Sequence, residues 1–102
     1  MPRLLALLAA LALAGCASTV HVELTVRSAR DEEATLQLER HDADGGRETL
    51  PLGRLLPHGR TTSRFVAERG GRLVLYADGA LAGERAVPAD APDPFAVELR
   101  VD

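Results

Sequence analysis

The chain has 102 residues, of which 46% are hydrophobic, and a formal net charge of −3. All twelve basic residues are arginines interspersed with fifteen acids, so the sequence lacks the clustered basic surface typical of a nucleic-acid-binding domain. The mild negative charge also argues against electrostatic adhesion to anionic headgroups.

Residues 1–15 have the organisation of an export signal. Arg3 supplies one fixed positive charge, and residues 4–14 form an uninterrupted run of Leu and Ala. This run has the length of a signal-peptide apolar region, and it falls short of the roughly 20 residues that a spanning helix needs. We therefore predict a helical signal peptide over residues 1–15, followed by Cys16, the only cysteine in the chain.

The tetrapeptide Leu13-Ala14-Gly15-Cys16 is similar to the lipobox of bacterial lipoproteins. That resemblance implies that a signal peptidase recognises Leu13, Ala14 and Gly15 and cuts before Cys16. It also implies that the Cys16 thiolate, the soft nucleophile such an alkylation needs, carries diacylglycerol. Two acyl chains anchor a protein stably where one does not. Two alternatives stay open: an ordinary secretory cut after Ala12-Leu13-Ala14, and a buried structural thiol at Cys16.

The residues after the lipobox predict which membrane holds the protein and how close to the bilayer its domain lies. In diderm bacteria an Asp after the lipidated residue tends to retain a lipoprotein at the inner membrane, so Ala17 favours the outer membrane in such a source. Residues 16–19 form a lipidated tether with a reach of about 10–15 Å. The remaining domain, residues 20–102, is predicted to be a single unit held at the bilayer surface.

Alternation of apolar and polar residues recurs along the mature chain and predicts β-strands. Glycine-containing turns are predicted at residues 42–46, 70–71 and 78–79, and a proline-containing loop at residues 88–94. Pro51 indicates that its strand lies at a sheet edge. The predicted strands cover residues 20–27, 34–39, 48–52, 61–68, 72–77, 81–87 and 95–102.

Six or seven short strands at regular spacing predict an all-β fold, a small antiparallel β-sandwich, with a closed barrel as the structural alternative. Residues 52–55, 59–65, 71–76 and the strand from Phe95 resemble small bacterial lipoproteins of uncharacterised function. That resemblance implies an immunoglobulin-like sandwich and brings no catalytic residue with it. The three aromatic residues, Phe65, Tyr76 and Phe95, are expected in the core.

The sequence predicts neither a metal site nor a cofactor. His21, His41 and His58 lie in three separate segments, without the short spacing of histidine metal ligands. Asp42 and Asp44 resemble the start of a calcium loop, but the Glu that closes such a loop is missing at the required distance. Hairpin turn chemistry accounts for these two residues better.

No catalytic residue is predicted either. Nucleophilic catalysis needs an activated side chain, whereas Ser28 and Ser63 lie in no G-x-S-x-G context and Ser18 falls in the tether. The adjacent acids Glu32 and Glu33 are expected to form a solvated turn.

A binding function remains, and it is predicted to be non-enzymatic. Arg60, Arg64, Arg69 and Arg72 lie near one predicted hairpin, where they form a basic edge for carboxylate or phosphate groups or simply protect strand edges. The leading prediction is a lipid-anchored envelope lipoprotein that serves in interaction or envelope organisation. Its expected partners are the membrane, through Cys16, and a membrane-proximal protein bound by strand addition. A module that binds a small ligand or polysaccharide is the alternative, and a hydrolase is less favoured.

Overall fold

The computed structural model describes residues 18–102. The predicted helical signal peptide, the lipobox residues Leu13, Ala14 and Gly15, and the lipidation site Cys16 all lie outside the described residues. Within residues 18–102 no helix has the length and hydropathy of a membrane span.

Within residues 18–102 seven strands form two sheets, which confirms the predicted all-β sandwich of six or seven strands. Each sheet is open, with an edge strand on either side, so the alternative of a closed barrel is excluded. The strands are β1 (Thr19–Ser28), β2 (Ala34–His41), β3 (Arg47–Leu55), β4 (Arg60–Glu68), β5 (Arg72–Ala77), β6 (Ala80–Ala86) and β7 (Phe95–Val101).

The first sheet has the strand order β4-β1-β7, and the second has the order β3-β2-β5-β6. Every pairing is antiparallel except that of β1 with β7, which is parallel. An immunoglobulin constant domain places its first two strands in one sheet, whereas β1 and β2 here lie in different sheets. The likeness to that fold is therefore one of architecture, two packed sheets of mainly antiparallel strands, and not of strand order.

The core lies between the two sheets and follows directly from the alternation in the sequence. In β1 every second residue from Val20 to Ser28 is buried, while the residues between them face outward. Because burial of a Val or Leu side chain contributes about 1.5–3 kcal/mol, these apolar rows supply most of the stabilising free energy. The largest fully buried side chains are Leu24, Leu36, Leu38, Leu55, Leu73, Leu75, Val20, Val22, Val26, Val87 and Val101.

The third strand is an edge strand, as Pro51 predicts. Its pairing with β2 shifts register between Leu36 and Gln37, opposite the Pro51 region. The strand also continues past its predicted end to Leu55, whose side chain is buried and anchors the following turn. Leu56, in contrast, is 64% exposed.

The hairpin between β5 and β6 turns at Asp78 and Gly79, as predicted. Both residues have positive φ, 52° and 80°, as a two-residue type I′ turn requires. Asp78 Oδ1 also accepts a hydrogen bond of 2.9 Å from the backbone N–H of Thr35, and Asp78 N–H donates to the Thr35 carbonyl at 2.9 Å. The turn thereby fixes the start of β2.

The expectation that all three aromatic residues are core residues is wrong for Tyr76. Phe65 and Phe95 are half-buried and pack against the core. Tyr76 follows Leu75 in β5, and the alternation that sends Leu73 and Leu75 inward puts Tyr76 on the outer face of the second sheet.

Candidate functional site

The described chain begins beside the predicted tether, and hydrogen bonds fix its start. The backbone N–H of Arg69 donates to the Ser18 carbonyl at 2.6 Å. The Arg69 guanidinium donates from Nη1 to the Thr19 carbonyl at 3.1 Å and from Nε to the Ala91 carbonyl at 3.0 Å. The start of β1 is therefore held against two neighbouring loops, and we call this end of the sandwich the tether end.

The opposite end of the sandwich lies a full strand length away. Arg27 is eight residues beyond Thr19 in β1, which corresponds to roughly 26 Å at about 3.3 Å per residue. We call this the distal end.

The basic edge predicted from Arg60, Arg64, Arg69 and Arg72 does not assemble. Arg69 lies at the tether end, and Arg72 lies in the second sheet, where Nη1 is 3.0 Å from Glu84 Oε1. Arg60 and Arg64 are both in β4, but Arg60 lies at the distal end and Arg64 lies beside an acid of β1. The sequence indicates neither the sheet to which each strand belongs nor the register between strands.

A different group of arginines comes together on the outer face of the first sheet, at the distal end. Arg27 in β1 lies opposite Arg60 of β4 in the antiparallel pairing and opposite Arg100 of β7 in the parallel pairing. Because neighbouring strands are about 4.8 Å apart, the row spans roughly 10 Å. All three side chains are exposed. We call these residues the distal arginine row.

The positive charges of the row are only partly neutralised. Arg27 Nε lies 2.8 Å from Glu98 Oε1, and Arg100 Nε lies 2.9 Å from Asp102 Oδ1. Within residues 18–102, Arg60 takes part in no ion pair. Like charges directly opposite one another in a sheet are destabilising, and exposed ion pairs contribute only about 0–1 kcal/mol. The row therefore keeps a local excess of positive charge.

Two turns lie beside the distal arginine row, and backbone hydrogen bonds hold them in place. The Ser28 N–H donates to the Gly59 carbonyl at 2.9 Å, and the His58 N–H donates to the Arg30 carbonyl at 3.1 Å. His58 has a φ of 53°, in the left-handed region that non-glycine residues seldom adopt. Such a conformation persists only where surrounding contacts impose it, and it occurs often at functional sites.

These turns and the row line two shallow, open grooves that share Arg27, of about 420 Å³ and 430 Å³. Both grooves contain Ser28 and His58. The first is lined by Arg27, Ser28, His58, Gly59 and Arg60, and the second by Arg27, Ser28, Ala29, His58 and Arg100.

The first groove contains a serine and a histidine, the two residue types of a serine nucleophile and its general base. His58 Nε2 lies 2.6 Å from Asp31 Oδ1, and Ser28 lines the same groove. Ser28 is, however, only 8% exposed, and its Oγ accepts a hydrogen bond from the Arg30 N–H at 3.1 Å. Among the described residues Ser28 and His58 share no side-chain hydrogen bond, so His58 is not placed to act as its general base.

The other two histidines each lie beside a different carboxylate. His41 Nε2 is 2.6 Å from Glu39 Oε1, although it is not aligned for a hydrogen bond to any described residue. At the tether end His21 Nδ1 lies 3.1 Å from Asp93 Oδ1. The hydrogen bond from the His21 side chain is the main cause that lowers the pKa of Asp93 below its ordinary value of 3.8.

The hairpin acids Asp42 and Asp44 do come together with Glu68, since one carboxylate oxygen from each lies within 4.8 Å of the others. Asp44 Oδ1 accepts a hydrogen bond of 3.2 Å from the Gly46 N–H, which is the hairpin chemistry that the sequence predicts. Exposed acidic groups such as these are common without an ion.

Sequence reasoning missed Arg27, Arg100 and His58 as candidate binding residues. Alternation already places Arg27 and Arg100 on the polar faces of the first and last strands. Their juxtaposition depends on the parallel pairing of β1 with β7, which leaves no local signal in the sequence.

Comparison of the chain with known protein families, curated proteins and solved structures finds no match. The likeness to small bacterial lipoproteins therefore stays a prediction, and a function has to be inferred from the residues of this chain.

Proposed function

We propose that this protein is a lipid-anchored lipoprotein of the cell envelope whose sandwich serves as a non-enzymatic interaction module. The observation that carries the proposal is the sequence Leu13-Ala14-Gly15-Cys16, followed after the single residue Ala17 by Ser18, whose carbonyl is already bound by the folded domain. A diacylated Cys16 would hold the domain at a bilayer. Ala17 favours the outer membrane if the source is a diderm bacterium.

The short tether would orient the domain. Three residues separate Cys16 from Val20, a reach of about 10–15 Å at the length of an extended chain. Because Arg69 binds the carbonyls of Ser18 and Thr19, the tether end would face the bilayer. Partners would then be membrane-proximal proteins or molecules that approach the distal end.

The edge of β4 from Arg60 to Phe65 is the surface best suited to strand addition, because the Arg40 guanidinium of the other sheet donates to the carbonyl of the next residue, Val66. β4 pairs with β1 through nine consecutive residues without a register shift, and it contains neither Pro nor Gly. The edge strand β3, in contrast, contains Pro51 and a shift in its pairing, and the pairing of β6 is also shifted. In the edge strand β7 the Glu98 carbonyl already accepts a hydrogen bond from Arg85 Nη2. An extended partner segment can add to a regular edge through main-chain hydrogen bonds.

A non-enzymatic role is supported by the way in which the candidate groups are occupied. His21, His41 and His58 each contact a different carboxylate on a different part of the sandwich. The Ser28 hydroxyl accepts a backbone hydrogen bond and is nearly buried.

A second candidate function is the binding of a small ligand. It is favoured by the two grooves beside Arg27, each of which carries two arginines of the distal row.

Photo-crosslinking in intact cells tests the interaction module. A crosslinking residue replaces Thr62, an exposed residue of β4, and the matched control replaces Thr49, an exposed residue of the edge strand β3 in the other sheet. We expect a discrete adduct with a membrane-proximal envelope protein from position 62, and its loss when Cys16→Ala removes the anchor.

Equal adducts from both positions, or an adduct that survives Cys16→Ala unchanged, would contradict the proposal. A flexible linker inserted after Ala17 provides a second arm. It frees the domain from the bilayer surface, and we expect it to weaken the position 62 adduct while the domain stays folded.

A further inference from the structure

We propose that the distal arginine row binds a phosphate group, with Arg60 and Arg27 as its principal donors and Arg100 as a third. The site consists of the row and the two grooves that share Arg27, with the turn that contains His58 as its floor. This inference deepens the proposed function, because it gives the chemical class of the ligand that the distal end would recognise.

The donors of the row exceed the acceptors that the protein supplies. A guanidinium has five N–H donors in a planar fork that matches the oxygens of a phosphate. Arg27 and Arg100 each contact one carboxylate through Nε, and a single carboxylate cannot use all five donors. Arg60 contacts no acid within residues 18–102, so its fork is open to a ligand.

The carboxylates beside the row do not close the site. The Arg27–Glu98 pair has side chains that are 53% and 59% exposed, and the Arg100–Asp102 pair has side chains that are 70% and 81% exposed. Exposed pairs of this kind are held weakly, so a dianion that reaches two guanidinium groups at once can compete with them.

The sheet holds the stems of the row in a fixed arrangement before a ligand arrives. Arg27 belongs to the central strand of its sheet, with hydrogen-bonded neighbours on both sides. One row further along the strands, Thr25 Oγ1 lies 3.1 Å from Thr62 Oγ1. One of these hydroxyls donates to the other, and the second keeps its proton for an additional ligand oxygen. Preorganised donors reduce the ordering that binding would otherwise require.

The charge of the row favours a phosphate over a carboxylate. The stems of three arginines lie within roughly 10 Å across the sheet, and the Glu98 and Asp102 carboxylates contact two of these arginines only through exposed ion pairs. A carboxylate ligand would bring one negative charge and two acceptor oxygens. A phosphate monoester carries about −1.5 to −2 at neutral pH and offers three strong acceptor oxygens. The orientation proposed above places the row roughly 26 Å from the tether end, so we expect the phosphate to belong to a soluble ligand. A lipid headgroup presents the same group and is tested as the other source.

The test uses the full lipidated chain in phosphatidylcholine nanodiscs, observed by NMR through its backbone amide and arginine Nε–H resonances. In one arm inorganic phosphate is titrated at constant ionic strength, with acetate as the comparison anion. In another, phosphatidic acid replaces part of the phosphatidylcholine and no soluble phosphate is added. The test variant is Arg60→Gln, and the control is Arg54→Gln, which makes the same charge change near the same end of the other sheet.

We expect saturable shifts at Arg27, Ser28, Gly59 and Arg60, stronger with phosphate than with acetate. Arg60→Gln should weaken the affinity roughly tenfold because it removes a charge-assisted pair of hydrogen bonds, and Arg54→Gln should leave it unchanged. Shifts with soluble phosphate alone assign the site to soluble ligands. Shifts with phosphatidic acid assign it to a headgroup and contradict the proposed orientation of the domain.

Absence of shifts at the row in both arms would overturn the proposal, as would equal losses in the two variants or equal binding of acetate and phosphate. The phosphate titration is repeated with the Cys16→Ala chain in detergent. Phosphate binding there would show that the site does not depend on the anchor. Mass spectrometry of the N-terminal peptide of the wild-type chain tests the anchor by itself, so the two proposals fail separately.

Discussion

The packing around Gly71 predicts that replacement of this glycine by alanine destabilises the sandwich. Gly71 is buried immediately before β5, and a Cβ placed there would overlap the backbone carbonyl oxygen of His41 and lie 3.0 Å from the carbonyl oxygen of Glu68. Both obstacles are backbone atoms of neighbouring strands. The Gly71→Ala variant can therefore be accommodated only if the end of β2 retreats by most of an ångström.

The expected cost follows from what that displacement disturbs. Overpacking of this kind costs about 1–3 kcal/mol, and the loss of a backbone hydrogen bond adds about 0.5–1.5 kcal/mol. The bonds at risk are those from Val87 N–H to the Gly71 carbonyl, 2.9 Å, and from Gly71 N–H to the Glu68 carbonyl, 3.1 Å. We expect Gly71→Ala to lower the free energy of unfolding by roughly 2–4 kcal/mol. For a domain of this size that corresponds to a fall in Tm of roughly 10–25 °C.

Urea and thermal unfolding followed by far-UV circular dichroism measure this difference. Gly83→Ala is the control, because Gly83 lies in β6 of the same sheet and its Cβ would make an ordinary contact of 3.5 Å with the Leu99 side chain. The control should stay within about 1 kcal/mol of wild type. If Gly71→Ala unfolds within 0.5 kcal/mol of wild type, roughly the scatter of neutral surface substitutions, the close approach of β2 and β5 described above is wrong.

Three further predictions concern other parts of the sandwich. Gly79→Ala should destabilise the domain by about 1 kcal/mol, because alanine is strained at a φ of 80° even though no atom obstructs its Cβ; an unchanged urea midpoint would argue against the type I′ turn. The lowered pKa of Asp93 implies that its bond with His21 stabilises the fold above pH 3.8 and is lost as the pH falls through the lowered pKa. His21→Ala should therefore return the Asp93 pKa towards 3.8 in a carboxyl NMR titration, and an unaltered titration would show that the bond does not form. Phosphate should raise the Tm of wild type but raise that of Arg60→Gln by much less, in proportion to the weakened binding, and equal increases would indicate a general salt effect.

The strands were predictable because their residues carry a local signal. Alternation in β1 and β7 indicates both the extent of these strands and which side chains face the core, and the turn at Asp78-Gly79 is specified by the residues that tolerate positive φ. The outward position of Tyr76 was predictable in principle, since it is adjacent in sequence to the buried Leu75.

The distal arginine row was not predictable for a different physical reason. The positions of Arg27 and Arg100 beside each other depend on a parallel pairing between the first and last strands. Many registers of that pairing would preserve the same alternation of apolar and polar residues. The basic edge of Arg60, Arg64, Arg69 and Arg72 was predicted from the proximity of these residues in the sequence, which does not indicate the sheet to which each strand belongs. The prediction is wrong because β4 and β5 belong to different sheets.

The central claim of the proposed function is that Cys16 is the anchored residue, and the mass of the mature N-terminal peptide tests it most directly. We predict that mass spectrometry of protein purified from membranes will find a peptide that begins at Cys16 and carries a diacylglyceryl group. An unmodified peptide that begins at Gly15, or one that retains residues 1–15, would contradict the claim.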